Sequence, residues 1–312
     1  MSVLRLQLVG RCQLRCGYCC PSSAESTALG AIAPSLAERA VRLLSRVGVR
    51  RIRLTGGEPL LHPEVVGIVE RLSRVPGIEE VALTTNGQRL ASTAAALRAA
   101  GLRRVNVHID SLRPERYARL CGGRLERSLS GLDAAIAEGL APKLNVVVQR
   151  GENDDELADF CALASERRVC VRFIELMDTR VASLLVVGRY VPSHEIRAAL
   201  EALGAVRAGR RGNAPADEYL LLDGAQVGVI ASESEPFCDT CDRLRLDATG
   251  RLRTCLYAAD GLDLGAMLAS GASDDALLGA LLQAIAGKHS LHPRLRPPDT
   301  GPTRFSMAAV GG

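Results

Sequence analysis

The stretch from Cys12 to Cys19 reads Cys-Gln-Leu-Arg-Cys-Gly-Tyr-Cys, and its thiols, with Cys16 between the outer two, have a CxxxCxxC spacing. Iron–sulfur clusters are held by cysteine thiolates, and a cubane 4Fe-4S cluster normally takes four of them. Three thiolates therefore leave one iron open to an outside ligand, which allows chemistry beyond electron transfer. The spacing differs from the paired clips that are typical of zinc. We predict a cluster-binding loop directly after an apolar strand at residues 4–9.

The composition is that of an ordinary globular protein. The chain has 312 residues, of which 47% are hydrophobic and 24% charged, and its formal net charge is +4. Such a length suggests one large domain or two. Aromatic residues make up 3% and tryptophan is absent, which argues against the stacking surfaces of a nucleic-acid binder. No apolar run has membrane-spanning length, and the first residues indicate a strand and not a signal peptide. We therefore expect a cytoplasmic protein without nucleic-acid or membrane partners.

The first 175 residues alternate extended apolar runs with runs of helical periodicity. Strands are predicted at 4–9, 51–54, 80–83, 104–109, 144–148 and 169–174. Helices are predicted at 35–47, with Ser35 as the cap, and at 63–75, 90–100, 114–120, 125–138 and 154–166. Repeated strand–helix units imply a parallel sheet with right-handed crossovers. Six units are too few for a closed eight-stranded barrel, so the predicted fold class is α/β, a partial (βα)6 TIM-like barrel.

The rest of the chain is less regular. A helix is predicted at 193–203, a loop at 207–217, and short strands at 220–222 and 227–230. The last stretch, 293–312, contains four prolines and ends in Gly311-Gly312, so we expect an extended tail. These patterns divide the chain into a barrel core at 1–218 and a C-terminal region at 219–312.

Polar residues follow each predicted strand. They are the cysteine loop after the first, Thr55 to Pro59 after the second, Thr84 to Gly87 after the third, His108 and Asp110 after the fourth, Gln149 after the fifth, and Glu175 to Met177 after the sixth. In parallel α/β barrels the chemistry lies at the carboxyl ends of the strands. We therefore expect these residues to face one opening.

A second cysteine set lies downstream, with Cys238 and Cys241 in a CxxC and Cys255 beyond them. Alone, a CxxC indicates either zinc or redox chemistry. Three thiols suit a zinc ion with a water ligand, or a second cubane cluster with an open iron. His289 and His292 are available to complete a zinc site.

Two segments resemble the radical S-adenosylmethionine (SAM) enzymes. They are the CxxxCxYC with Tyr18 before its last cysteine, and the Thr-Gly-Gly-Glu-Pro at 55–59. Further likeness, at 53–61, 84–87, 145–148, 172–177, 237–256 and 311–312, identifies the chain as similar to the GTP 3′,8-cyclase family of molybdenum cofactor biosynthesis. It covers nearly the whole chain and favours a second 4Fe-4S cluster in the C-terminal extension.

The resemblance implies a reaction and its cofactors. In the family, the open iron of the first cluster binds SAM. Reductive cleavage of SAM then yields a 5′-deoxyadenosyl radical. That radical takes hydrogen from C3′ of GTP, and C3′ then adds to guanine C8. Implied partners are GTP, an electron donor such as flavodoxin or ferredoxin, and a downstream cyclic pyranopterin monophosphate synthase. A homodimer is compatible with the sequence.

The resemblance also assigns residues. The cluster ligands are Cys12, Cys16 and Cys19 for the first cluster and Cys238, Cys241 and Cys255 for the second. SAM-binding positions are Tyr18, Gly56, Gly57, Glu58, His108 and Met177. Nucleotide-binding positions are Arg5, Arg53, Thr84, Lys143, Arg172, Arg243 and Arg245. Arg243 and Arg245 are two residues apart, so on an extended segment their side chains project to one side. The predicted catalytic residues are these two arginines together with Cys12, Cys16 and Cys19.

Three positions depart from the family pattern. His108 replaces a serine, Cys20 replaces a methionine, and Val9-Gly10 replaces Thr-Asp. One alternative is therefore a paralogue that modifies another nucleotide or a peptide. A second is a non-catalytic iron–sulfur or zinc protein, which would need neither the glycine-rich motif nor the arginines.

Overall fold

The computed structural model describes residues 1–19, 30–177, 188–258, 260–289 and 291–292. The strands are β1 (Val3–Gln7), β2 (Arg51–Thr55), β3 (Glu80–Thr85), β4 (Arg104–His108), β5 (Lys143–Val148), β6 (Cys170–Glu175), β7 (Val206–Arg210), β8 (Asp217–Leu220), β9 (Gln226–Ile230), β10 (Arg243–Leu246), β11 (Arg251–Arg253) and β12 (Leu262–Asp263). The helices are α1 (Pro34–Arg46), α2 (Val65–Ser73), α3 (Ala94–Ala99), α4 (Pro114–Cys121), α5 (Leu125–Ala137), α6 (Leu157–Arg167), α7 (Ser193–Ala202), α8 (Leu264–Ala269) and α9 (Asp274–Ala286).

These strands form one mostly parallel sheet. Its order is β12-β11-β10-β1-β2-β3-β4-β5-β6-β9-β8-β7. The strands from β10 to β9 in this order pair in parallel, whereas the outer pairs on both sides are antiparallel. The six strands predicted between residues 4 and 174 are confirmed as β1 to β6, and so is their parallel pairing. Within the described ranges, no helix is both long and apolar enough to cross a membrane.

The sheet has one apolar and one polar face. Side chains alternate along each strand, so Leu4 and Leu6 of β1 enter the core that also contains Leu44 of α1. The intervening residues, Arg5 and Gln7, project to the opposite face. Parallel strands covered on both faces usually read as continuous apolar runs. The alternation of apolar and polar residues therefore indicates that the second face of the sheet is lined by polar side chains.

Three predictions on local structure were wrong in whole or in part. Ser35 is not the cap of α1, because the N-cap position is Ala33 and Pro34 opens the helix. The segment at 207–217 is a loop only at 211–216, because its ends belong to β7 and β8, which form an antiparallel hairpin in which Val206 faces Leu220. The strand predicted at 220–222 overlaps β8 only at Leu220. Most of β7 is exposed at the sheet edge, so its residues lack the apolar alternation that indicates a strand.

The C-terminal region extends the sheet on both sides of the predicted core. Strand β9 pairs with β6, and β10 pairs with β1. Strand β8 spans the boundary placed between residues 218 and 219, so this domain division stays a prediction. The tail at 293–312, with Gly311-Gly312, and Cys20 lie outside the described residues.

Candidate active site

The cysteine loop follows β1 and is held by the glycine-rich segment after β2. Gly57 donates its backbone N–H to Val9 O at 2.8 Å, and Glu58 donates to Arg11 O at 2.9 Å. A Cβ atom on Gly57 would lie 2.2 Å from Arg11 O, and one on Gly56 would lie 2.7 Å from Val9 O. Both glycines therefore allow the close approach of two backbone segments, and they seat the loop that carries the three thiols.

We expect Gly57→Ala to displace the cysteine loop and to lower the iron content of the first cluster. The added methyl group would meet backbone oxygens of Arg11 and Gly10, which cannot rotate away as a side chain would. Iron analysis after anaerobic reconstitution measures the loss. Gly67→Ala in α2 is the matched control, because nothing lies within 4 Å of its Cβ position. Equal iron in both variants would contradict the seating role.

Glu58 links the glycine-rich segment to the end of β3. Its side chain is buried and accepts hydrogen bonds from Thr85 Oγ1 at 2.7 Å, Asn86 N at 2.8 Å and Leu60 N at 3.0 Å. Burial raises the pKa of Glu58 despite these donors. Asn86 continues the network, because its Nδ2 lies 3.6 Å from Cys12 Sγ. Asn86 belongs to the polar segment from Thr84 to Gly87, but its contact with Cys12 was not predicted from the sequence.

Tyr18, His108 and Asp110 form a compact network beside the loop. The Tyr18 hydroxyl lies 2.5 Å from His108 Nε2 and donates to Asp110 Oδ2 at 2.7 Å. His108 Nε2 is 2.9 Å from Asp110 Oδ1. Burial disfavours the imidazolium, but the charge of Asp110, its hydrogen bond and the charge of Cys16 together raise the pKa of His108. The histidine therefore contacts the residue that precedes Cys19, and with Asp110 it fixes the orientation of Tyr18.

The first three thiols are half-buried on one loop, and Cys16 also approaches a second element. Within the described parts of the chain, one trio of potential ligand atoms lies within 4.8 Å of one another, from Cys16, Asp110 and Cys121. The neighbouring Cys121 thiol lowers the pKa of Cys16, whereas burial raises the pKa of Cys12 to about 12. A cubane distributes its cysteine ligands over separate irons, so its ligand sulfurs need not converge as they do on a single ion. The loop with Cys12, Cys16 and Cys19 fits such a group.

A row of arginines, of which Arg245 is buried and Arg5 and Arg53 are partly buried, crosses the polar face of the sheet. Arg245 of β10, Arg5 of β1 and Arg53 of β2 lie side by side in register. Burial and repulsion from Arg245, Arg53 and Arg243 lower the pKa of Arg5. Burial also lowers the pKa values of Arg53 and Arg245 to about 10. Clustered buried cations repel one another, so a bound polyanion would relieve a cost that the free protein carries.

The same face continues across β3 to β6 with polar residues. Thr84 Oγ1 accepts a hydrogen bond from Asn106 Nδ2 at 3.2 Å, and Asn106 lies opposite Lys143 on the next strand. Asn145 lies opposite Arg172, and the buried atoms Asn145 Oδ1 and Arg172 Nε have no hydrogen-bond partner in the described structure. Buried polar atoms are normally paired, so these two atoms fit a ligand. All seven predicted nucleotide-binding residues lie on this face.

The second cysteine triad is held by the β10–β11 hairpin. The CxxC precedes β10 and Cys255 follows β11, and Arg245 faces Arg253 across the two strands. Arg243 Nε donates to Cys241 Sγ at 3.3 Å, and its guanidinium lies 4.8 Å from the ring centroid of Phe237. Burial opposes ionisation, but the charge of Arg243 lowers the pKa of Cys241. The arrangement favours a thiolate that can bind metal.

His289 and His292, the two candidate zinc ligands, lie within hydrogen-bond distance of backbone carbonyl oxygens. His292 is buried and its Nε2 lies 3.0 Å from Ser232 O, while His289 Nδ1 lies 2.9 Å from Gly287 O. Neither belongs to a metal-ligand trio within the described residues. The zinc alternative for the second triad therefore gains no support from them.

Glu175 joins the last core strand to the loop that leads to the second triad. The side chain is buried at the end of β6 and accepts backbone hydrogen bonds from Ser193 at 2.6 Å, Glu233 at 2.7 Å and Ser234 at 2.9 Å. The hydroxyls of Tyr190 and Ser234 also donate to it. Met177, two residues further on, is thereby tied to the same part of the molecule as the loop at 231–236.

Comparisons with known proteins agree with this site. Residues 6–164 match the model of the radical SAM superfamily, and residues 169–293 match the family described as Molybdenum Cofactor Synthesis C. The GTP 3′,8-cyclase of Pelotomaculum thermopropionicum is 43% identical over 100% of this chain and 98% of its own length. That of Streptomyces coelicolor is 41% identical over 99% of this chain and 93% of its own length.

Among solved structures, Streptococcus suis SuiB bound to S-adenosylmethionine aligns with a TM-score of 0.63 at 16% identity. The alignment covers 82% of this chain and 60% of that one, so the chain spans less than two thirds of that protein, and the likeness concerns the fold alone. The parallel α/β sheet and the cysteine loop define a radical SAM protein. Within that superfamily, the chain belongs to the GTP 3′,8-cyclase family.

Proposed function

We propose that this chain is a radical SAM GTP 3′,8-cyclase. It converts GTP to (8S)-3′,8-cyclo-7,8-dihydroguanosine 5′-triphosphate in molybdenum cofactor biosynthesis. Its relatives of the same length bear that name. The structural observation that carries the proposal is the row of Arg245, Arg5 and Arg53, which lie in register on the polar face of the sheet, with Arg5 on the strand that leads into the cysteine loop.

The first cluster and SAM are assigned to the residues around the loop. Cys12, Cys16 and Cys19 would hold a 4Fe-4S cluster, and Gly56, Gly57 and Glu58 seat and brace their loop. When bound, the cluster and SAM would supply a 5′-deoxyadenosyl radical for hydrogen abstraction at ribose C3′. His108 and Asp110 orient Tyr18, and Tyr18 and Met177 would contact SAM. These groups keep the reacting atoms in one orientation, which lowers the entropic part of the barrier.

The nucleotide is assigned to the polar face. Guanidinium groups bind phosphate oxygens through paired hydrogen bonds, so Arg5, Arg53, Arg172 and Arg245 would bind the triphosphate. Lys143 and Thr84 lie on the same face and would contact the nucleotide. Fixing the phosphates restricts where the ribose can lie, and so directs C3′ towards the radical source.

We also propose that the sheet curves into a partial barrel. The charge of Arg172 on β6 lowers the pKa of Arg53 on β2, although four strand spacings separate β2 and β6. In a flat sheet these spacings would amount to about 19 Å, a distance at which screening suppresses the interaction. Curvature would bring the two guanidiniums across a shared interior.

The second triad would hold a second 4Fe-4S cluster beside the nucleotide. Cys238, Cys241 and Cys255 would supply three thiolates, which would leave one iron available to the guanine. Arg243 contacts this triad at Cys241 and begins the β10 strand that also carries Arg245. We further propose a cytosolic setting, a flavodoxin- or ferredoxin-like donor, a following cyclic pyranopterin monophosphate synthase, and a homodimer.

One experiment tests the function as a whole. The reconstituted protein is incubated anaerobically with a reductant, SAM and GTP, and products are identified by mass. The cyclised triphosphate together with 5′-deoxyadenosine is expected. Formation of 5′-deoxyadenosine without the cyclised product would support the paralogue alternative, and the absence of both products would reject SAM chemistry.

We expect Arg245→Ala to weaken GTP binding by roughly one to two decades. A hydrogen bond to a charged group contributes about 1.5–3 kcal/mol, and about 1.4 kcal/mol corresponds to a tenfold change in affinity. Arg245→Lys should rescue only part of the loss, because lysine lacks the planar fork. Calorimetry with GTP and guanosine measures the effect, and the preference for GTP should shrink in Arg245→Ala.

Arg74→Ala is the control for this prediction, because Arg74 is 75% exposed and forms an ion pair with Glu70 on the surface. It should bind GTP as the parent does. Equal affinity of the parent for GTP and guanosine would rule out phosphate recognition by this face.

A further inference from the structure

Lys288 makes an unusual set of contacts beneath the second cysteine triad. It is one of only two lysines among 39 basic residues. Its Nζ donates to Thr254 O at 2.5 Å and to Arg243 O at 2.7 Å, and it lies 3.6 Å from Cys241 Sγ. Thr254 immediately precedes Cys255. A single ammonium group therefore contacts both chain segments that carry the triad.

The chemistry of these contacts favours lysine over arginine. An ammonium has three donors on one compact nitrogen, whereas a guanidinium is a flat fork that directs its donors within one plane. Three acceptors on two chain segments around one nitrogen suit the ammonium group. Nearly all other basic residues of the chain are arginines. The lysine at this position is explained by the arrangement of its three acceptors around one nitrogen.

The charge of Lys288 is also well placed. Arg243 Nε lies 3.3 Å from Cys241 Sγ, so two cations approach the same sulfur. A cluster with thiolate ligands is anionic, and its reduction adds a further negative charge. Net charge and hydrogen bonds to the sulfurs set the reduction potential of such clusters. A nearby ammonium stabilises the reduced form more than the oxidised form.

We propose that Lys288 is a positioning residue for the second iron–sulfur cluster. It holds the segments of Cys241 and Cys255 together and raises the reduction potential of the cluster. This inference rests on the proposed presence of that cluster. Lys288 acts on the cluster through the ligand segments and through its charge, and the C-terminal end of α9 brings it there.

The test uses the full chain with Cys12, Cys16 and Cys19 all replaced by alanine, so that only the second cluster is present. In this background, Lys288→Met should lower the ratio of reduced to oxidised cluster at a fixed potential about tenfold, which is about 59 mV for a one-electron couple. It should also release iron faster to a chelator. A redox titration followed by electron paramagnetic resonance, together with iron release, measures both effects.

Lys288→Arg separates geometry from charge. It should keep the potential near that of the background but release iron faster, because a guanidinium cannot satisfy all three acceptors. This variant retains the charge, so it also keeps the test informative if Lys288→Met fails to fold. Arg46→Met is the matched control, since it removes a positive charge that pairs with Asp274 at the opposite end of α9, about 20 Å away. It should change neither measurement.

Two results would overturn the proposal in distinguishable ways. If the background without Cys12, Cys16 and Cys19 binds zinc or no metal, the second cluster is absent and the role of Lys288 falls with it. If the background holds about four irons while Lys288→Met matches it in potential and iron release, the cluster stands and the role of Lys288 is rejected.

Discussion

Cys16→Ala is expected to abolish reductive cleavage of SAM while the second cluster remains. Cys16 is one of the three proposed ligands on the loop, so its removal would leave the first cluster with two thiolates. Iron content should fall from about eight to about four per chain, and 5′-deoxyadenosine should be absent from the anaerobic assay. The two readouts together show which cluster was lost.

Cys161→Ala is the control for Cys16→Ala. Cys161 is a buried thiol on α6, in a helix that carries none of the predicted ligands. This variant should keep its iron and its SAM cleavage. Formation of 5′-deoxyadenosine at the parental rate by Cys16→Ala would remove this cysteine from the set of cluster ligands.

Cys255→Ala is expected to lose the cyclised product but to retain uncoupled cleavage of SAM. Cys255 follows β11, and β10 separates β11 from β1 in the sheet. Its loss should therefore disturb the nucleotide and leave the cysteine loop intact. Mass analysis should show 5′-deoxyadenosine without cyclised triphosphate, and iron should fall to about four per chain.

The same Cys161→Ala protein serves as the reference for this second loss, and it should form both products. Cyclised triphosphate at the parental rate from Cys255→Ala would mean that the second triad has only a structural role. Loss of 5′-deoxyadenosine as well would mean that the two cysteine sites are not independent.

Much of the fold was predictable because its signals are local. The strands β1 to β6 were predicted to within about two residues, since apolar runs bounded by turns recur between helical segments. The β7–β8 hairpin was missed for a physical reason. Its outer strand buries little, and Arg207 reaches Asp217 at 2.8 Å through an ion pair that sequence spacing does not reveal.

The site was predictable where its residues form compact motifs and not where they meet across the fold. The motifs identified the cysteine loop and the glycine-rich turn. The contact of Tyr18 with His108 joins residues 90 positions apart, and Lys288 reaches Cys241 over 47 positions. One signal was available but unused. Polar residues such as Asn106 and Asn145 alternate with valine in strands of a parallel sheet, which indicates a face reserved for a ligand.

The pairing of β1 with β10 has a consequence for the order in which the protein is made. Leu4 lies beside Leu244, so the strand that leads into the cysteine loop acquires its second neighbour only when the ribosome has translated most of the chain. At about 5–20 residues per second, that neighbour follows on the order of 10–50 s later. Until then β1 is an open sheet edge, and such edges are prone to pair with other chains. The strand that precedes Cys12, Cys16 and Cys19 is therefore fully paired only after β10 has been synthesised. Until then, its open edge must be kept from pairing with other chains.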